Sequence, residues 1–172
     1  NNFYKLALGG IFAIIVIGGY MAFTGYANDV YPLDQSVGFL DRIVATSDPQ
    51  SIIADINSIK ANLPETGNPV WIFPTDSTNF ARIQADLDTM LISAEKIAAV
   101  PTDSAAYHTG MLDINSRSVL IQENIADAIP YMYVSFSNII FSSIWIAAIL
   151  GIFAVLNKKK QKMQEYDVSK DV

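Results

Sequence analysis

The chain has 172 residues, no cysteine, one histidine and a formal net charge of −6. It therefore has no disulfide framework, thiolate metal site or cysteine nucleophile, and one imidazole alone does not build a zinc or copper centre. The acidic balance argues against nucleic acid as a partner.

The first element is Leu6–Phe23, a stretch without Asp, Glu, Lys or Arg. At about 1.5 Å per residue it rises roughly 27 Å, close to the hydrocarbon thickness of a bilayer. Phe3 and Tyr4 flank one end, and Tyr20, Phe23 and Tyr26 the other, as interfacial aromatics do. Gly25-Tyr26-Ala27 would pass as a signal-peptide cleavage site. The apolar run is too long for a usual signal core, so the segment reads as a retained anchor.

Four stretches with apolar residues three and four apart follow. The first is Val30, Leu33, Val37, Leu40 and Val44; the second is Ile52, Ile56, Ile59 and Leu63. The third is Phe80, Ile83, Leu87, Met90, Ala94 and Ile97. The fourth is Tyr107, Met111, Ile114, Ser118, Ile121, Ile125, Ala128 and Met132. This spacing keeps one apolar face per helix, as a bundle requires. It predicts helices over Asp29–Ala45, Pro49–Leu63, Ser77–Val100 and Asp103–Ile129. Asp48 before Pro49 is a cap signal, Asp76 or Ser77 suits the third helix, and Thr102 or Asp103 the fourth. Pro130 predicts a kink, not a break.

Pro64, Pro69 and Pro74 make Pro64–Thr75 a loop. In an up-down arrangement it returns to the membrane end, where Trp71 and Phe73 either meet the interface or plug the bundle. The predicted lengths also leave the third and fourth helices roughly 10 Å longer than the first two. Ile97, Val100, Tyr107, His108 and Met111 would then be sparsely covered, with Tyr107, His108 and Met111 as candidates for a docking surface.

The last apolar run is Ile139–Leu156, again free of charge, with Tyr131, Tyr133 and Phe136 before it. Lys158, Lys159, Lys160 and Lys162 follow, then a tail with Glu165, Asp167 and Asp171. The lysines suit anionic headgroups. With Lys5 they place both termini in the cytoplasm by the positive-inside rule. Residues 24–138 then face outward, carrying 14 acidic against five basic residues. The predicted fold class is an all-α membrane protein, with two transmembrane helices flanking an extracytoplasmic up-down four-helix bundle. Its segments are 1–28, 29–130, 131–157 and 158–172.

Small residues recur at four-residue spacing in both spans: Gly9 and Ala13, Gly18 and Ala22, then Ser143, Ala147 and Gly151. Such spacing lets helix backbones approach closely, which drives association in lipid. Either the spans use these faces on each other, or they offer them to partner subunits.

No catalytic constellation accompanies this architecture. Asp86, Asp88 and Glu95 lie along one helix, and Glu123 and Asp127 are one turn apart, an arrangement that suits solvated faces. Neither span holds an ionisable residue, which argues against an ion path through this chain alone. The sequence implies no cofactor, with lipid the one ligand left open.

The span–four helices–span layout resembles the ligand-binding half of four-helix-bundle chemoreceptors and sensor kinases. That resemblance implies a sensory module, though no signalling linker follows Leu156. The layout, with its cysteine-free, acidic, Ile/Asp/Asn/Ser-rich composition, also resembles small two-span accessory subunits of membrane enzyme complexes, such as the copper-dependent ammonia monooxygenase of archaea. This second resemblance implies a chain that packs against catalytic subunits in a hetero-oligomer and holds no copper itself. The expected function is therefore a non-catalytic accessory subunit, with the sensory module as the alternative.

Overall fold

A computed structural model describes residues 2–168, with the side chains of residues 2, 3, 6 and 163–168 left aside. Phe3 and the acidic residues of the tail thus lie outside the described side chains. The chain is helical, with no strand among the described residues. Its elements are α1 (Asn2–Gly25), a π-helical turn (Tyr26–Val30), α2 (Tyr31–Ala45), α3 (Pro49–Asn62), α4 (Phe80–Ala98), α5 (Ala105–Tyr133) and α6 (Phe136–Val168). They divide into two compact units: α1 with α6, and Gly25–Ser135.

The Gly25–Ser135 unit is bundle-like. α2 packs on α3 and α5, and α4 packs on α3 and α5, so the four helices close a ring around one core. α4 contributes Phe80, Ile83, Leu87, Met90, Ala94 and Ile97, all six of its predicted positions. α3 contributes Ile52, Ile56 and Ile59 with Leu63 just beyond its end, and α5 contributes Tyr107, Ile114, Ser118, Ile121, Ile125 and Ala128. Burying each large apolar side chain yields about 1.5–3 kcal/mol. α2 departs from its predicted face. Leu33, Ser36, Leu40 and Ile43 are buried, Val37 is only partly so, and Val44 is exposed. The buried Ser36 hydroxyl donates to the Pro32 carbonyl at 2.8 Å, which removes the cost of an unpaired hydroxyl.

Polar side chains stitch the ring together. Arg42 on α2 grips the buried Asp55 of α3 through both guanidinium branches, the Nε–Oδ2 distance being 2.8 Å. Lys60 on α3 meets Asp88 on α4. Gln84 of α4 donates to the Lys60 and Leu63 carbonyls at 3.1 and 3.2 Å, satisfying the C-terminal end of α3. Gln122 on α5 donates to Asp41 on α2 at 2.7 Å.

Helix starts follow local capping chemistry. The Asp48 carboxylate accepts from the Gln50 and Ser51 amides at 3.2 and 3.0 Å, as predicted. The caps of α4 and α5 are Asn79 and Ser104, not Asp76, Ser77, Thr102 or Asp103. A turn displaces each start: the Asn79 amide bonds the Asp76 carbonyl, and the Ser104 amide the Pro101 carbonyl. α4 is consequently 19 residues, about 28 Å, well short of the predicted helix.

α5 runs through Pro130 and stops at Tyr133, and α6 starts at Phe136. The predicted kink is thus a helix that passes its proline and breaks four residues later. Pro130 has no amide to offer the Ala126 carbonyl, which weakens the last turns. At the break, the Trp71 indole donates to the Val134 carbonyl at 2.9 Å. That carbonyl is the one a continuing helix would bond to the Asn138 amide.

In the other unit, α1 and α6 are both long and apolar enough to cross a membrane. Their side chains are exposed almost all round, including Leu8, Phe12, Tyr20, Ile144 and Leu150. They meet at Gly18 and Trp145. The Trp145 indole donates to the Ile14 carbonyl at 2.9 Å. A Cβ at Gly18 would lie 2.6 Å from that indole nitrogen, so only glycine lets the ring reach the α1 backbone here. An indole N–H left unpaired in hydrocarbon would be costly, and this bond satisfies it.

Candidate interaction surfaces

The small residues of the two terminal helices do not share one role. Gly18 faces Trp145, whereas Gly9, Ala13 and Ala22 are exposed. On α6 the half-buried positions are Trp145, Ile149, Ile152 and Leu156. Ser143, Ala147 and Gly151 fall about half a turn away and are exposed. The Ser143 hydroxyl is absorbed by its own helix, donating to the Ile139 carbonyl at 2.8 Å. This leaves a smooth, apolar, small-residue face on α6 that α1 does not cover. Gly151 also edges a shallow apolar groove with Ala7, Gly10, Ala148, Ile152 and Leu156.

The residues expected at a bare tip are largely core. Tyr107 is buried, and its hydroxyl donates to the Ser47 carbonyl in the α2–α3 connection. Met111 is partly buried against the core, and Ile97 is buried. α4 and α5 remain longer than α2 and α3, but the Tyr107–Ser47 bond and the burial of Ile97 cover this end. Of the three candidates, His108 alone is exposed, its ring edge-on to Tyr107 at 5.8 Å between centroids.

The membrane-interface candidates fall in three places: the end of α5, the α3–α4 loop and the C-terminal part of α6. Tyr131 and Tyr133 are exposed, and Tyr133 stacks on Tyr26 at 6.5 Å, which in turn contacts Tyr31 at 6.3 Å. Trp71, Ile72 and Phe73 are 45%, 54% and 80% exposed, so Trp71 is no plug for the core. Val70, beside them, is the buried residue that roots the loop. Lys158 and Lys160 are exposed and Lys159 is half-buried on the last turns of α6.

Two features were not foreseen in the sequence: the bonded neck of the loop and Trp145. Asn68 closes the neck of the loop: its amide donates to the Thr75 carbonyl at 2.7 Å, and its carbonyl oxygen accepts from Val70 and Thr78 at 3.0 Å. Gly67, at φ +106°, makes the left-handed turn that lets its carbonyl accept from the Phe80 amide at 2.8 Å. Asn beside Gly before a proline is a turn signal, but its partners seven and ten residues away are invisible locally. Trp145 is the other. A tryptophan centred in an apolar run, away from the interfaces that Trp favours, signals that its N–H has a partner.

Several of the described carboxylates are taken up in ion pairs. Asp86 and Asp113 pair with Arg82 and Arg117 along their own helices, at 3.4 and 2.9 Å. Among the described residues, no group of three or more His, Asp or Glu side chains could hold a metal ion. No protein-family model, curated protein or solved structure matches the chain.

Proposed function

We propose that this chain is a non-catalytic structural subunit of a larger membrane complex. In this reading α1 and α6 cross the bilayer, and α2–α5 form an up-down bundle outside the cell. The charge pattern supports it: lysines flank the outer-facing ends of neither span, and residues 24–138 carry a net −9 with His108 neutral. The observation that carries the reading is the exposed small-residue face Ser143–Ala147–Gly151, which α1 leaves uncovered. Lipid alone gives no reason for such a face, whereas a partner helix packing backbone to backbone does. Partners of unlike sequence, such as the catalytic subunits of a copper membrane monooxygenase of ammonia-oxidising archaea, fit a chain that brings shape and charge without chemistry.

A second reading rests on a separate observation. A ring of four helices between two apolar helices is also the layout of receptor ectodomains. Extraction in mild detergent, followed by mass spectrometry of the intact assembly, separates the two. The subunit reading expects unlike chains to co-migrate, and a lone homodimer overturns it in favour of the receptor. Gly151→Leu should release the partner chains while leaving the helical content unchanged.

A further inference from the structure

We propose that the Trp71–Phe73 tip of the Pro69–Pro74 loop is a third membrane contact, seated in the interfacial layer of the outer leaflet next to the start of α6. The inference rests on the reading that α6 crosses the bilayer, and it adds a contact from outside either span.

Connectivity fixes the level of the loop. Val134 precedes Phe136, the first residue of α6, by two residues, which at full extension is about 7 Å. The Trp71 indole nitrogen is 2.9 Å from the Val134 carbonyl oxygen. The tip is therefore held at the end of the membrane helix by a hydrogen bond and two residues of chain. The bond has a purpose at that depth. The α5–α6 break leaves the Val134 carbonyl without a helical donor at the edge of a medium poor in water, and Trp71 supplies one. The indole keeps 45% of its surface exposed, and headgroups are the setting that Trp prefers.

The tip is also preorganised. Asn68 bonds both arms of the neck, Thr78 is buried against it, and Val70 turns into the unit. What remains outside is Trp71, Ile72 and Phe73, three consecutive large apolar side chains, the last 80% exposed. A loop with a bonded neck and its apolar side chains outside is shaped to present them. The sequence selects the partner as well. Residues 66–75 carry no charge, although the segment around them is strongly acidic. Carboxylates at this level would be desolvated or repelled by anionic headgroups, and the loop excludes them.

The absence of cysteine makes the test clean. A nitroxide is attached at Phe73→Cys, and in a second sample at Ile146→Cys, on an exposed face midway along α6. Each full-length protein is reconstituted in phosphatidylcholine vesicles. Collision with oxygen, which concentrates in lipid, is compared with collision with a water-soluble nickel chelate. Both labels are expected to favour oxygen, the one at 73 at shallower depth than the one at 146. Nickel preference at 73 with oxygen preference at 146 overturns the loop contact and leaves the crossing of α6 intact. Nickel preference at both overturns the two together. A label at 73 reached by neither reagent is covered by protein, which also overturns the proposal.

Discussion

The two units are built from the same apolar residue types put to opposite use. In Gly25–Ser135, Ile, Leu and Met point inward at three- and four-residue spacing, and charged side chains tie neighbouring helices from the rim. In α1 and α6, Ile, Leu, Phe and Val point outward on nearly every face, and the Trp145 indole bonds the α1 backbone. The first pattern is what water selects. Residues such as Leu150 are unfavourable in water yet neutral in hydrocarbon, where a lipid tail is as apolar as a leucine. In the proposed bilayer setting, association in the second unit cannot come from hiding apolar area. It has to come from close backbone approach and satisfied donors, as at Gly18 and Trp145.

The sharpest way to break this contrast is to delete the same atoms in both units. Leu87 is fully buried among the helices of the ring, so Leu87→Ala should lower the unfolding free energy by about 2–5 kcal/mol. Leu150 is 62% exposed on α6, and Leu150→Ala should shift stability in lipid by less than about 0.5 kcal/mol. Chemical denaturation of vesicle-reconstituted protein, followed by circular dichroism, gives both numbers. Equal losses would mean that α6 is packed in a protein core.

A smaller effect separates the two kinds of glycine on α1. Gly18→Leu drives side-chain atoms into the space of the Trp145 ring, and the overpacking should cost about 1–3 kcal/mol of contact between α1 and α6. Trp145 fluorescence should change as the indole loses the Ile14 carbonyl. At Gly9, a Cβ meets nothing within 4 Å, so Gly9→Leu should leave that fluorescence unchanged. Identical responses would show that the α1–α6 contact does not depend on where the glycine lies.

How much of this was legible in the sequence follows from how local each cause is. The α4 core could be read in full because each of its positions is apolar and its spacing unbroken. On α2 the period was right but the phase slipped, since Ser36 is buried by bonding its own helix and Val44 is left outside. Hydrophobicity alone has no way to see either. The tip failed through a long-range contact: turns delayed the starts of α4 and α5, and Tyr107 went to Ser47, sixty residues away. The same limit hid Asn68. The small-residue stripes were visible as a pattern, but which of them meets the other span depends on Trp145, whose partner carbonyl belongs to a helix at the far end of the chain.

The smallest effect sharpens the contrast through pH, because the titrating cap belongs to the unit with the packed core. Hydrogen bonds from the Ser51 hydroxyl, the Ser51 amide and the Gln50 amide hold the Asp48 carboxyl below its ordinary value. A group whose pKa falls on folding binds fewer protons in the native state. Its contribution is present above the unfolded pKa, near 4 for an aspartate, and is lost as pH falls through the lower folded value. The ring of helices should therefore melt at a lower temperature as pH drops below about 4, more steeply with Asp48 than without it. Asp48→Asn keeps a side-chain acceptor at the cap but cannot titrate. Its melting temperature should sit slightly below that of the unmodified chain at neutral pH, and the gap should close in acid. A gap that stays constant from neutral pH into acid would show that the Asp48 charge adds nothing to the start of α3, and that its cap works through acceptor geometry alone.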